Sequence, residues 1–264
     1  ARARIPLGFE HHKQPQPWGG WDRAPQDSPP VRAELESARR QLGTLGGGNH
    51  FIEVQAGDDG LVWLMIHSGS RNFGLKIAEH YHRMAVRICD DHKEPLPDKE
   101  LAWLPRDTVK AQEYLSAMNF ATEFARESRA RMMEAFSEIV RSRANCRIEQ
   151  TLDIHHNYCA VEKHFGREVL VHRKGATSAM KGQTGVIPGS MGTSSYIVRG
   201  LGNPDSFMSS SHGAGRCMGR NQACRSLSVE ECNRAMAGIV HGQWSRDRKG
   251  RLDLSEADGM TDYQ

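Results

Sequence analysis

Residues 108–143 hold a helical hydrophobic period without a break, and any fold for this chain has to be built around that element. Tyr114, Met118, Ala121, Ala125, Met132, Phe136, Ile139 and Val140 recur on one face. Glu123, Arg126, Glu127, Arg129, Arg131 and Glu134 occupy the other, a solvated face whose arginines could also lie along a nucleic acid. A second helical pattern covers 75–89 through Ile77, Tyr81, Met84, Ala85 and Ile88, with His80, His82 and His92 read as surface or packing residues. Short strands separated by glycine- and hydroxyl-rich loops make up much of the rest. Helices mixed with short strands in this way predict an α+β domain.

The strands carry the chemistry. Gly43-Thr44-Leu45-Gly46-Gly47-Gly48-Asn49-His50 is a glycine-dense loop feeding the alternating run Phe51–Gln55. Asp58-Asp59-Gly60 reads as a turn, and a second strand from Leu61 to Ile66 ends at His67-Ser68-Gly69-Ser70-Arg71. An antiparallel hairpin sets the start of one strand beside the end of the other, so His50 and His67 become neighbours suited to a transition metal. The alternative is two unrelated strand-end histidines.

A third cluster is Asp153-Ile154-His155-His156-Asn157-Tyr158. In an extended segment the two histidines face opposite ways, and Asp153 or a carbonyl could orient an imidazole. Beyond it come a strand at 168–172, Arg173-Lys174-Gly175-Ala176-Thr177, the loop Ile187–Ser195, and a strand at 196–199. Glycine, hydroxyl and basic residues recur there without an acidic run, the composition of a surface that wraps phosphates and sugars.

Ser209-Ser210-Ser211-His212-Gly213-Ala214-Gly215-Arg216 is the densest stretch of all. Its glycines let backbone N–H groups approach an anion, and Arg216 offers a planar fork for phosphate oxygens. His212 could serve as nucleophile, general base or metal ligand, or could be a satisfied histidine in a glycine-rich turn. Ser228-Val229-Glu230-Glu231 is a capping box opening a short helix.

Composition removes other classes. A charged fraction of 25% and a hydrophobic fraction of 38% belong to a globular chain, and the net charge of +3 permits an anionic partner without demanding one. No run of about 18 apolar residues spans a membrane, and no secretory signal stands at the start. Six cysteines contain no CxxC pair, which argues against a zinc ribbon and for reduced thiols in the cytoplasm. Residues 1–35, rich in proline, read as an irregular segment, 36–243 as the core, and 244–264 as a polar tail.

In their order, Gly46–Glu53, His67–Arg71, His156-Asn157, His172–Ala176, Pro188–Gly192 and Ser211–Arg216 resemble the RtcB-type RNA-splicing ligases. The resemblance implies a single α+β domain with antiparallel sheets flanked by helices. It implies an enzyme that joins an RNA 3′-phosphate or 2′,3′-cyclic phosphate to a 5′-hydroxyl, using GTP and two Mn²⁺ ions, in tRNA splicing or RNA repair. On that reading His212 is the nucleophile that takes GMP. His50, His67 and His156 are metal ligands. Asn49 and Asn157 touch phosphate, while Glu53, Ser190, Ser195 and the Gly213-Ala214-Gly215 turn line the guanylate pocket with Tyr263. Arg71, Lys174 and Arg216 hold RNA or nucleotide phosphates.

The resemblance is incomplete. The family's Asp-x-Gly-Cys-type motif, which supplies a carboxylate and a thiolate to the metals, is absent, as is its lysine near the C-terminus. The expectation is a chain truncated at both ends, beginning as it does at Ala1. Two other functions stay open: a metal-dependent phosphoesterase, which needs no covalent GMP, and an inactive RNA-binding remnant.

Overall fold

The structure is a computed structural model that describes residues 4–47, 50–215, 220–242 and 244. The chain divides into two compact units, Ala1–Asp153 and Ile154–Gln264. That division has no composition shift to announce it.

The first unit is assembled on the long helix. In chain order it contains α1 (Pro29–Gln41), β1 (Phe51–Ala56), β2 (Val62–His67), α2 (Phe73–Asp91) and α3 (Val109–Arg141). Helix α3 starts where Thr108 caps the Ala111 N–H. Its first half buries Ala117, Phe120, Ala121 and Phe124 against Trp21, Phe73, Ile77 and Tyr81. Its second half buries Met132 and Phe136 with Ile5 and Leu45, and the hairpin lays Ile52, Leu64 and Ile66 on that cluster. The helical and hairpin segments expected from periodicity are thus present within two or three residues of their expected ends.

The N-terminal segment differs from its reading as irregular. Helix α1 begins at Pro29, because proline at the first helical position needs no hydrogen-bonded N–H and has φ preset. Ser28, fully buried, accepts a hydrogen bond from the Tyr81 hydroxyl at 3.0 Å and ties that end to α2. Ahead of it, residues 6–8 run parallel to the glycine loop, with Leu45 N–H donating to Pro6 O at 3.0 Å and Gly8 N–H to Gly46 O at 2.8 Å.

Among the described residues the second unit contains three two-stranded antiparallel ladders and short helices. β3 (Asn157–His164) pairs with β4 (Arg167–Lys174), β5 (Ala176–Ser178) with β8 (Ser209–Ser211), and β6 (Thr184–Ile187) with β7 (Tyr196–Arg199); the fourth ladder, β1–β2, belongs to the first unit. β3 and β4 are joined through Phe165 (φ 48°) and Gly166 (φ 74°), both left-handed, as a two-residue hairpin turn requires. Helices α4 (Arg220–Ser226) and α5 (Val229–Ala235) follow, the latter opened by the reciprocal Ser228–Glu231 capping box. The whole is α+β, with antiparallel pairs and helices. Among the described residues no helix is long and apolar enough to cross a membrane.

Candidate functional site

In the first unit the hairpin register pairs Phe51 with His67, Ile52 with Ile66 and Glu53 with Met65. Since Ile52 and Ile66 pack toward α3, Phe51, Glu53, Met65 and His67 share the opposite face. His50 immediately precedes β1, and its ring centroid lies 6.1 Å from that of His67. The hairpin has therefore made neighbours of the two histidines.

Three bonds fix the loop that presents His50. Gly43 N–H donates to the buried Ser128 Oγ of α3 at 3.0 Å, Ser68 Oγ–H donates to Leu45 O at 2.8 Å, and Arg129 reaches Ser68 O at 3.4 Å while gripping Asp153 at 2.6 and 3.0 Å. Gly46 is irreplaceable here. Its φ is +98°, and a Cβ would stand 2.0 Å from Arg71 Nη1 and 2.5 Å from His50 Nδ1.

Burial is the main influence that lowers the His50 pKa, and the Arg71 charge adds to it. His50 Nδ1 is buried with no hydrogen-bond partner. A neutral imidazole with an orphaned nitrogen, beside a second histidine, fits two nitrogen ligands of a divalent ion. Among the described residues no group of three or more His, Cys, Asp or Glu side chains completes a shell. Glu53 is half-buried, which raises its carboxyl pKa, while the Gln55 amide donating at 2.6 Å pulls it back. It remains an acceptor suited to N–H groups of a base edge.

Arg71 sits differently from a free phosphate clamp. Its residue is left-handed (φ 54°), its Nε donates to Thr44 Oγ1 and its Nη2 to Gly8 O, each at 2.8 Å. The guanidinium thus knits the glycine loop to the N-terminal segment, a partnership invisible in the local sequence.

In the second unit, one end of the β3–β4 hairpin collects the remaining residues. Asn157 stands opposite Lys174, and Gly175 N–H is shared between His156 O at 2.8 Å and Asn157 Oδ1 at 2.9 Å. His212 follows β8 directly, and its ring centroid lies 4.6 Å from that of His156. Ala214 N–H donates to Pro188 O at 3.1 Å, which brings the 188–195 loop against the Gly213-Ala214-Gly215 turn. Within that loop Gly189 N–H donates to Ser195 Oγ at 3.1 Å and Ser190 N–H to Thr193 Oγ1 at 2.8 Å. Thr193, which the sequence did not single out, therefore shapes the Ser190 turn. The expected residues Asn49, Arg216 and Tyr263 lie outside the described residues.

Gly175 underlies His212. Its φ is +66°, and a Cβ would stand 3.3 Å from His212 Cε1. Gly175→Ala is expected to cost about 1–2 kcal/mol from the left-handed backbone alone and to displace the imidazole. Urea unfolding and the His212 Cε1–H resonance report both; an unchanged resonance would refute the contact.

Sequence reasoning also missed β3 and its polar interior. Tyr158, Glu162 and His164 share one face with Arg173, whose side chain is 1% exposed. Hydrogen bonds from Arg173, then from His164, hold the Glu162 carboxyl below its usual range. The stabilisation from this carboxylate is complete above the unfolded value near 4.5 and is lost as pH falls through the depressed folded value. Glu162→Gln is expected to flatten the acid limb of a urea-midpoint profile between about pH 6 and pH 2.5; an equally steep limb would sink this assignment.

A family model described as tRNA-splicing ligase RtcB matches residues 9–257. The chain is 41% identical over 258 residues to the RNA-splicing ligase RtcB of Escherichia coli (strain K12), covering 89% of this chain and 63% of that protein. It is 35% identical over 240 residues to the RNA-splicing ligase RtcB of Mycobacterium tuberculosis (78% and 55% covered), and 33% identical over 279 residues to the tRNA-splicing ligase RtcB of Thermococcus kodakarensis (91% and 57%). This chain spans between 55% and 63% of the length of these relatives.

Proposed function

This chain belongs to the RtcB family, and on that footing we propose that it is the part of an RNA ligase that carries the nucleotide-accepting histidine. The substrate ends are an RNA 3′-phosphate, or a 2′,3′-cyclic phosphate, and a 5′-hydroxyl, with GTP as the activating nucleotide. The observation that carries the reading is the setting of His212, on a glycine turn tied to the Pro188 carbonyl and packed beside His156. An imidazole held there is a nitrogen nucleophile, and the N–H groups of a Gly-Ala-Gly turn suit phosphate oxygens.

In this reading His212 attacks the α-phosphorus of GTP, forming a P–N bond as pyrophosphate leaves. GMP then passes to the RNA 3′-phosphate, and the 5′-hydroxyl displaces it. Ser190 and Ser195 flank the guanylate, Glu53 accepts from guanine N–H groups, and Asn157 and Lys174 face phosphate. His50, His67 and His156 are assigned to Mn²⁺, which when bound neutralises phosphate charge and orients the leaving group. Among the described residues Cys89, Cys146 and Cys159 are free thiols, which suits a reducing cytoplasm.

The test is incubation with α-³²P-GTP and Mn²⁺ followed by a denaturing gel. An acid-labile, alkali-stable label supports the reading. A chain extended to the length of its relatives that binds Mn²⁺ yet takes no label would refute it, and phosphoester turnover without label would favour a phosphoesterase.

A further inference from the structure

Arg173 lies in the block His172–Ala176, yet nothing in the proposed chemistry uses it. Its donors are all engaged. Nε donates to Ser209 Oγ at 2.9 Å; Nη1 donates to Tyr158 Oη at 3.1 Å and to Glu162 Oε1; Nη2 donates to Glu162 Oε2 at 2.9 Å and to Phe207 O at 3.0 Å. A guanidinium has five N–H groups, so the fork is fully satisfied, as a buried charge demands. Three of the acceptors belong to β3; the other two are Phe207 O, just ahead of β8, and Ser209 Oγ, on its first residue.

That segment needs holding. Phe207 and Met208 are consecutive left-handed residues, at φ 51° and 49°, a conformation that persists only where the surroundings over-determine it. The Phe207 ring packs 5.1 Å from His164 and 5.5 Å from Phe165. The β5–β8 ladder that follows has only three residue pairs, from Ser178–Ser209 to Ala176–Ser211, and His212 comes next.

We infer that Arg173 is the positioning residue of His212: through Phe207 O and Ser209 Oγ it sets where β8 lies, and so where the imidazole stands beside His156 and above Gly175. The consequence for catalysis rests on the reading of His212 as nucleophile; the clamp itself does not. Lysine would keep the charge opposite Glu162 but has no fork to reach both β3 and the 207–209 segment. Glu162→Gln weakens the ion pair while leaving the bonds to Phe207 and Ser209.

The two variants therefore separate a clamp from a merely structural ion pair. Arg173→Lys is expected to raise amide hydrogen exchange at Ser209–Ser211 by about tenfold or more, with β3–β4 amides unchanged. It is expected to lower the single-turnover labelling rate at saturating GTP about a hundredfold, with half-saturating GTP moved less than about threefold. Glu162→Gln is expected to move neither by more than about threefold. Ser209→Ala, which removes one acceptor only, shifts exchange in the same direction should Arg173→Lys fail to fold. Unchanged exchange at 209–211 in the folded variants, or equal effects from Arg173→Lys and Glu162→Gln, overturns the inference. Absence of label from a chain extended to the length of its relatives counts against the ligase reading alone, because exchange still decides the clamp.

Discussion

His212→Ala is expected to leave no acid-labile, alkali-stable label from α-³²P-GTP, a loss of at least about a thousandfold against wild type. The lability pattern identifies the bond, since a phosphoramidate to imidazole breaks in acid and survives alkali, whereas a serine ester does the reverse. That matters because Ser209, Ser210 and Ser211 stand next in line. Ser211 Oγ–H already donates to Gly213 O, which engages its proton within the turn. A rival imidazole is His156, at 4.6 Å between ring centroids. Label surviving in His212→Ala but vanishing in His156→Ala would move the nucleophile to His156. Label that survives both would end the histidine reading.

Phe124→Ala is expected to have the largest effect on stability, about 3–5 kcal/mol for the first unit. Phe124 is fully buried, with ring centroids of Phe73, Trp21 and Trp18 at 5.6, 5.9 and 6.4 Å. Truncation removes the ring that fills the junction of α2, α3 and the Gly19–Arg23 turn, and the rigid aromatics around it cannot collapse into the space. Trp18 and Trp21 border the cavity, so urea unfolding read by tryptophan fluorescence reports the loss directly. Because α3 carries Ser128 and Arg129, which hold the glycine loop and Ser68, the same change is expected to loosen the His50–His67 end of the hairpin. A shift under about 1 kcal/mol would mean that this aromatic cluster is not the keystone of the unit.

Local patterns in the sequence determined the elements with one clean period. Helix α3, helix α2, the β1–β2 hairpin and the α5 capping box each follow from spacing that a single segment displays by itself. The adjacency of His50 and His67 came with them, because antiparallel pairing is a local consequence of a short turn. The order of the motif blocks carried the family, which the matched residues 9–257 then showed.

Tertiary structure alone decided what depended on partners far along the chain. β3 was hidden because its inward face is Tyr158, Glu162 and His164; such residues read as surface until Arg173 is seen to satisfy Tyr158 and Glu162, and Glu162 to hold His164 in turn. Arg71 reads as a free cation until its fork is found on Thr44 and Gly8, 27 and 63 residues away. Gly175 reads as a turn glycine until His212 is placed over it. Hydrophobic periodicity is a property of neighbours in sequence, so a chain announces it. A buried polar group is stable only through the specific acceptor it meets, and that meeting exists only once the chain has folded.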